Sequence, residues 1–368
     1  RVTYLCKMKT PNQLIIRRYP KSENKSLRSF SAADELIEEY IETENIALRA
    51  PVLVNDRFGY LACNFHKFSP ISIVNYKSQE KALRQNMLDN NIAIIEQNVI
   101  FPLDKINHEV EIAIVKAPKS LDLFRLQLQK LSKCLGENSQ VICGFMTRHF
   151  SKQMLEIAGD YFEEVEQTKA KKKARLIILS KKKKTQSNSL FNEITFGDKT
   201  IKQYFGVFSA NKIDQATEFF LDNLNVDSSA GVILDLASGN GIIAHAIRQQ
   251  YANAEIHLVD DSYLAVESSK LNMKDENTHH HFSDSLENFT PEFFDLIVSN
   301  PPYHFEYETN IEVALDLFKQ VHKKLKTGGH FQMVSAVSLN FKTHLSKLFS
   351  KVEILGDNDK FVVYDCVK

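Results

Sequence analysis

Cysteine is scarce: five residues in 368, at positions 6, 63, 134, 143 and 366. None stands in a CxxC pair, and the number is odd. That excludes a disulfide framework and a cysteine-held structural zinc, and it fits a reduced, cytoplasmic chain. Long apolar runs are missing too. None approaches the roughly 18 residues that cross a bilayer, so no membrane partner is expected. The opening RVTYLCKMKTPNQ lacks the apolar core of a secretory signal.

Net charge is also absent, since 46 basic residues balance 46 acidic ones. The balance hides a split. Residues 1–190 hold 31 basic against 21 acidic side chains, and residues 191–368 hold 15 against 25. One half of such a chain is suited to meet a polyanion. The plainer alternative is chance clustering. Apolar residues make up 43% and charged residues 25%, values of an ordinary globular protein, and the length suits two domains.

Short apolar runs alternate with amphipathic stretches along the whole chain, the pattern of a parallel α/β sheet. QLIIRRYP reads as a strand. Ser31-Ala-Ala-Asp34 opens a helix with a capping-box pattern. APVLVN, ISIVN, AIIEQ, EIAIVKAP and QVICGF read as strands, with a helix around 120–135. Residues 169–184, KAKKKARLIILSKKKK, place a strand between two lysine clusters. Lys171, Lys172, Lys173, Arg175, Lys181, Lys182, Lys183 and Lys184 are candidate phosphate contacts, or simply a solvated face. Residues 181–190 read as a basic polar linker, which sets domains at 1–180 and 191–368. After residue 190 the alternation begins again, with a helix over IEVALDLFKQVHKKLKTGG that stops at glycine.

The two halves repeat one pattern. PVLVNDRFGYLAC (51–63) lies over ILDLASGNGIIAH (233–245). SIVNYKSQEKALRQNM (72–87) lies over HLVDDSYLAVESSKLNM (257–273), and IAIVKAPKS (112–120) lies over LIVSNPPYH (296–304). The offset stays near 182–185 residues. Asp235 then faces Leu53, Gly239 faces Arg57, Asp260 faces Asn75, and Asn300 faces Lys116. The expected fold is α/β, two tandem doubly wound domains, with the small-molecule site lost from the first.

Four segments of the second copy carry chemistry. Asp235-Leu-Ala-Ser-Gly239-Asn-Gly241 follows a strand and opens a helix. Its glycines allow close backbone approach, and its carboxylate suits an ammonium better than a pyrophosphate. Asp260 ends the next strand, where an acid can accept both ribose hydroxyls; capping the following helix is the alternative. Asp284 lies where a third strand ends and can meet an adenine edge, or be a loop aspartate. Asn300-Pro301-Pro302-Tyr303 follows LIVS. The Asn300 side-chain oxygen and the Pro301 carbonyl can accept from one exocyclic NH2 group. The prolines stiffen the backbone, and Tyr303 offers a stacking face for a base. The run His279–His281 reads as an exposed strand or loop rather than a metal site, because adjacent side chains do not converge on one ion.

On these segments the chain resembles the class I S-adenosylmethionine-dependent N-methyltransferases. Within them it is most similar to the bacterial rRNA guanine-N2 methyltransferases with two tandem methyltransferase-like domains, the RlmG/RsmC family. GVFS (206–209) with Asp214, DLASGNG, LVDDS with LNM, and NPPYH (300–304) carry the resemblance. DNDKFVV (357–363) and KKKARLIIL (171–179) point to its large-subunit branch. The resemblance implies S-adenosylmethionine as methyl donor and N2 of a guanine in large-subunit rRNA as acceptor. It implies a degenerate, RNA-binding first domain. The cysteine usage suits the cytoplasm, and two fused copies that mimic a dimer suit a monomer. Asp235, Ala237, Gly239 and Gly241 would hold the methionine end, Asp260 the ribose and Asp284 the adenine. Phe208 and Ser209 would form a lid supported by Asp214, and Asn300, Pro301, Pro302 and Tyr303 would place the base. Ala237-Ser238 departs from the usual Gly-Cys, which puts the turn in question, and Tyr303 stands where Phe is common. NPPY also occurs in enzymes acting on DNA adenine or a glutamine side chain. Small-subunit rRNA and a non-catalytic assembly factor are the other readings.

Overall fold

The computed structural model describes residues 14–22, 24, 27–184, 189–209, 212–227, 229–301, 304–305, 308–309 and 311–368. The chain divides into two compact units, residues 1–188 and 189–368.

In the first unit, helix α1 (Ala32–Thr43) begins with Ser31 donating its amide to the Asp34 carboxylate at 2.7 Å, the capping box of the sequence pattern. A seven-stranded sheet follows, in the spatial order β3-β2-β1-β4-β5-β7-β6. Its strands are β1 (Val52–Val54), β2 (Ile71–Ile73), β3 (Val99–Ile100), β4 (Val110–Lys116), β5 (Leu135–Met146), β6 (Phe162–Gln167) and β7 (Ala174–Lys182). Strands β1 to β5 run parallel, while β7 is antiparallel to both β5 and β6. Helices α2 (Tyr60–Asn64), α3 (Lys77–Asp89), α4 (Leu121–Cys134) and α5 (Lys152–Tyr161) lie between strands. Strand alternation feeds two cores. Val52 and Val54 enter the core built around Phe124 and Phe162, and Leu53 enters the one around Tyr60 and Phe65.

Two runs read as strands behave otherwise. Residues 14–18 of QLIIRRYP lie outside the sheet. Asn90, just past the end of α3, holds the backbone of Ile15 through both amide and carbonyl, at 2.9 and 2.7 Å, so a side-chain amide replaces a strand partner. In AIIEQ, Ile94 packs on the core from a loop, Ile95 is exposed and Glu96–Asn98 form a single 3-10 turn; the strand comes later, at Val99.

The second unit opens with a hairpin of β8 (Phe191–Phe196) and β9 (Lys199–Tyr204), then α6 (Gln215–Asn223). Its main sheet has the order β12-β11-β10-β13-β16-β18-β17, the same winding as the first. The strands are β10 (Val232–Leu236), β11 (Glu255–Asp260), β12 (Thr278–Phe282), β13 (Phe294–Ser299), β16 (Leu325–Ala336), β17 (Lys351–Asp357) and β18 (Phe361–Val367). A short hairpin of β14 (His304–Phe305) and β15 (Glu308–Thr309) stands apart, and α7 (Ile242–Gln250), α8 (Tyr263–Asn272), α9 (Ile311–Lys324) and α10 (Lys342–Leu345) complete the unit. Helix α9 stops at Lys324, short of the glycines. Gly328, at φ 78°, and Gly329 fall within β16, where an added Cβ on Gly329 would lie 2.9 Å from the Lys326 carbonyl. Leu234 and Leu236 face one core and Ile233 the other. The order reverses at β10, which lies between β11 and β13. In an open α/β sheet the crevice beyond the carboxyl ends of such strands is the place for a ligand. No helix among the described residues is long and apolar enough to cross a membrane.

Candidate functional site

Three neighbouring strands of the second unit deliver polar residues to that crevice: Asp235 on β10, Asp260 on β11 and Asn300 just past β13. The turn after β10 is pinned to its neighbour, since the amides of Ala237 and Ser238 both donate to the Val259 carbonyl, at 2.8 and 3.2 Å. Ala237 has φ 60°, Gly239 56° and Gly241 81°. The turn thus keeps its left-handed geometry although Ala237 lacks glycine's freedom, at a cost of about 1 kcal/mol. A Cβ on Gly239 would point into open space, which leaves the backbone approachable. On Gly241 it would lie 3.1 Å from Leu258, so that glycine serves helix–sheet packing.

Asp235 is fully buried. Its Oδ2 accepts from the Ala244 amide at 3.0 Å, and its Oδ1 has no hydrogen-bond partner among the described residues. Burial pushes its carboxyl up to about 7, with the nearby Asp260 adding to the shift. The Ser238 hydroxyl is likewise buried without a partner. Unpaired buried acceptors are costly and call for a donor. Asp260 accepts from the Gly239 amide through one oxygen and the Ser262 amide through the other, both at 2.8 Å, while burial raises its pKa. It therefore braces the glycine turn and holds Ser262, the residue that caps α8, and each oxygen retains a second lone pair. The Ser283 amide donates to the Asp260 carbonyl at 3.0 Å, which brings the segment carrying Asp284 beside Asp260.

Asn300 is held by its amide nitrogen, 2.9 Å from the Thr217 hydroxyl and 3.3 Å from Asp214 Oδ2. The carboxylate can only accept, so the NH2 group must face it, and the acceptor Oδ1 is left for another donor. Asp214 also caps α6 by accepting from the amides of Ala216 and Thr217, at 3.0 and 3.2 Å. This places Asp214 behind Asn300, tying that side chain to the start of α6. Pro301 is buried beside it; Pro302 and Tyr303 lie outside the described residues.

Phe208 is 73% exposed, on the segment preceding α6. Its neighbour Ser209 has φ 62° and donates its hydroxyl to the Lys212 carbonyl. Their support is Gln203 on β9, which is fully buried. Its amide donates to the Ser209 carbonyl at 3.0 Å, and its oxygen accepts from Asn240 of the glycine turn at 2.7 Å. Asn272, the middle residue of LNM, donates to the Asn240 carbonyl at 2.9 Å and the Lys202 carbonyl at 2.8 Å. Thr217 and Gln203 stand in no recognisable sequence pattern, and Asn272 stands in LNM without having been singled out. The polar residue inside the apolar string LNM was the one available signal.

The equivalent place in the first unit is built differently. Gly59 repeats Gly241 with φ 74°, and Asn55 repeats Ala237 with φ 61°. Leu53 occupies the strand end, and the carboxylate has moved three residues along to the buried Asp56, which accepts from the Ala62 amide at 2.8 Å. Ala62 is the repeat partner of Ala244, so the helix keeps its cap while the strand end loses its acid. Lys116, where the second unit has Asn300, forms an ion pair with the buried Asp34 at 2.7 Å.

Of the basic cluster, Lys171 pairs with Glu39 and Lys172 with Glu35, both acids on α1, and Lys181 pairs with Glu164. Lys182 and Lys183 donate to the carbonyls of Leu135 and Gly159, and Arg175 to Gln167 at 3.2 Å. Lys173 and Lys184 are exposed. Exposed ion pairs of this kind contribute only about 0–1 kcal/mol.

Residues 7–186 match the family model of the RLMG N-terminal domain, and residues 198–365 match the methyltransferase small domain. A Pseudoalteromonas translucida protein named ribosomal RNA large subunit methyltransferase G is 30% identical over 365 residues, covering 96% of this chain and 95% of that one. A Psychromonas ingrahamii protein of the same name is 28% identical over 372 residues, covering 96% and 97%. Among solved structures, a T. thermophilus 16S rRNA N2 methyltransferase (RsmC), in complex with AdoMet and guanosine, superposes with TM-score 0.78 at 19% identity, covering 98% of this chain and 97% of that one.

Proposed function

This chain belongs to the family of ribosomal RNA large subunit methyltransferase G, and we propose that it methylates the exocyclic N2 amine of one guanine in large-subunit rRNA. It is an S-adenosylmethionine-dependent rRNA methyltransferase. The observation that carries the finer reading is the Asn300 amide, clamped through its nitrogen by Thr217 and Asp214, so that among the described residues its oxygen is left to accept beside the buried Pro301.

The donor supplies a methyl group on a positively charged sulfur. The unpaired Asp235 oxygen and the Ser238 hydroxyl fit the ammonium and carboxylate of its methionine end, and Asp260 fits the ribose. Asn300 Oδ1 and the Pro301 carbonyl accept the two N–H bonds of the guanine amine. That holds its nitrogen against the methyl and turns its lone pair out of the ring system. The nitrogen–methyl bond forms as the sulfur–methyl bond breaks, and the sulfur leaves as a neutral thioether. The extra proton then departs from the positively charged nitrogen to water, so no strong base is required. Placement supplies most of the rate, and burial of the charge-dispersing transition state adds to it. Tyr303 would stack on the base.

The first unit would serve RNA binding. Its winding is retained, its strand-end acid is gone, and its basic cluster rests on weak surface pairs. Each unit closes its own seven-stranded sheet, which favours a monomer, and the reading places the enzyme in the cytoplasm. The test is transfer of labelled methyl to protein-free large-subunit rRNA, small-subunit rRNA and DNA. Label in large-subunit rRNA alone is expected. Label only in small-subunit rRNA or adenine would overturn the acceptor. No label and no binding of S-adenosylmethionine would favour a non-catalytic assembly factor.

A further inference from the structure

At the amino-terminal end of β11, away from the crevice, a second polar cluster forms. Strand β11 pairs in parallel with the edge strand β12, with His257 opposite His279 and Val259 opposite His281. Side chains alternate along a strand, so His257, His279 and His281 share one face with Glu255, while His280 points to the other. The separation of adjacent histidines therefore does not decide the matter, because the third partner comes from the neighbouring strand.

Glu255 Oε1 lies 2.9 Å from His257 Nε2 and 3.6 Å from His279 Nε2. One donor atom from each of the three residues falls within 4.8 Å of the others. Two nitrogen or oxygen ligands of one tetrahedral zinc, each about 2.0–2.1 Å from the metal, sit about 3.3 Å apart. The two observed distances bracket that value. The other ring nitrogen of His257, Nδ1, is 2.9 Å from His281 Nε2. A histidine that ligates through Nε2 carries its proton on Nδ1 and needs an acceptor there, which His281 provides. The rings of Phe289, Phe293 and Phe294 stand edge-on to His257 at 5.4–5.6 Å and form an apolar wall behind it.

We propose that Glu255, His257 and His279 bind one divalent transition-metal ion of the zinc class. Two imidazoles and one carboxylate suit zinc, nickel or copper, whereas calcium and magnesium require oxygen ligands throughout. Three protein ligands leave the fourth tetrahedral position to water. Asp260 ends the strand that Glu255 begins, so the ion would lie on the order of 15 Å from the methyl-transfer site at about 3.3 Å per residue. It clamps edge strand β12 to β11 and takes no part in methyl transfer.

The test uses the full chain, freed of metal by chelator and titrated with zinc by calorimetry and with cobalt(II) by visible absorption. One ion per chain is expected, with the cobalt spectrum of a four-coordinate site. Glu255 and His279 are 43% and 44% exposed, so His279→Gln and Glu255→Gln spare the core. Each should weaken binding by about tenfold or more. The exposed His108→Gln, in the first unit, should leave it unchanged. Absence of saturable binding, or binding untouched by both substitutions, overturns the proposal.

Discussion

Replacing Asp235 by Asn tests whether the crevice is built to receive a cation. The carboxyl is wholly buried and has one hydrogen bond, from Ala244, which an asparagine oxygen can also accept. Burial raises its pKa from 3.8 to about 7. In the unfolded chain the group ionises near pH 4; in the folded protein it keeps its proton until about pH 7. Between those values the native state binds the extra proton, so stability falls as pH rises, and it levels off above pH 7. Three pH units at about 1.4 kcal/mol each give a penalty of about 4 kcal/mol at pH 8. Asp235→Asn removes that slope. Its stability should match the native chain near pH 4 and exceed it by about 2–4 kcal/mol at pH 8, read from the second-unit transition in urea at several pH values. The native chain should bind S-adenosylmethionine more tightly as pH rises from 6 to 8, because the ionised carboxylate meets the ammonium. The variant should lack that trend in calorimetry. A stability difference independent of pH, or a variant less stable at pH 8, would refute the reasoning.

Asn300→Ala should abolish methyl transfer while calorimetry shows S-adenosylmethionine affinity unchanged. Thr217→Val removes the shorter of the two anchors on Asn300; kcat should fall roughly 2–10-fold with cofactor affinity intact, as expected for loss of a neutral positioning bond of about 0.5–1.5 kcal/mol. Ala237→Gly relieves the left-handed strain at φ 60° and should raise the second-unit denaturation midpoint by the equivalent of about 0.5–1 kcal/mol, with cofactor binding equal or tighter. Asp260→Ala strips the acceptors of the Gly239 and Ser262 amides and should weaken S-adenosylmethionine at least about tenfold by calorimetry; unchanged affinity would remove Asp260 from the ribose role.

The doubly wound architecture was legible because it is written in local patterns: apolar runs, helix starts and the 182–185-residue offset between copies. The strand-end positions of Asp235, Asp260 and Asn300 followed from the same runs. The supports did not. Gln203 and Thr217 matter through partners 37 and 83 residues away, and nothing local marks a buried amide or hydroxyl as a bracket. The lysine run looked like free positive charge because its acids on α1 lie more than 130 residues earlier. The histidine run reads as a strand, as observed, but its contacts were hidden for a like reason: His257 meets it across a strand pair. QLIIRRYP had a strand's composition, but Asn90 took the place of a strand partner. Local composition sets the elements, whereas side-chain networks between distant elements are fixed only by packing.

The most direct measurement is nucleoside analysis of protein-free large-subunit rRNA after incubation with S-adenosylmethionine and either the native chain or Asn300→Ala. N2-methylguanosine should appear with the native chain and be missing with the variant. Its absence in both while the native chain binds S-adenosylmethionine, or its equal formation by both, would contradict the guanine-N2 assignment and the role given to Asn300.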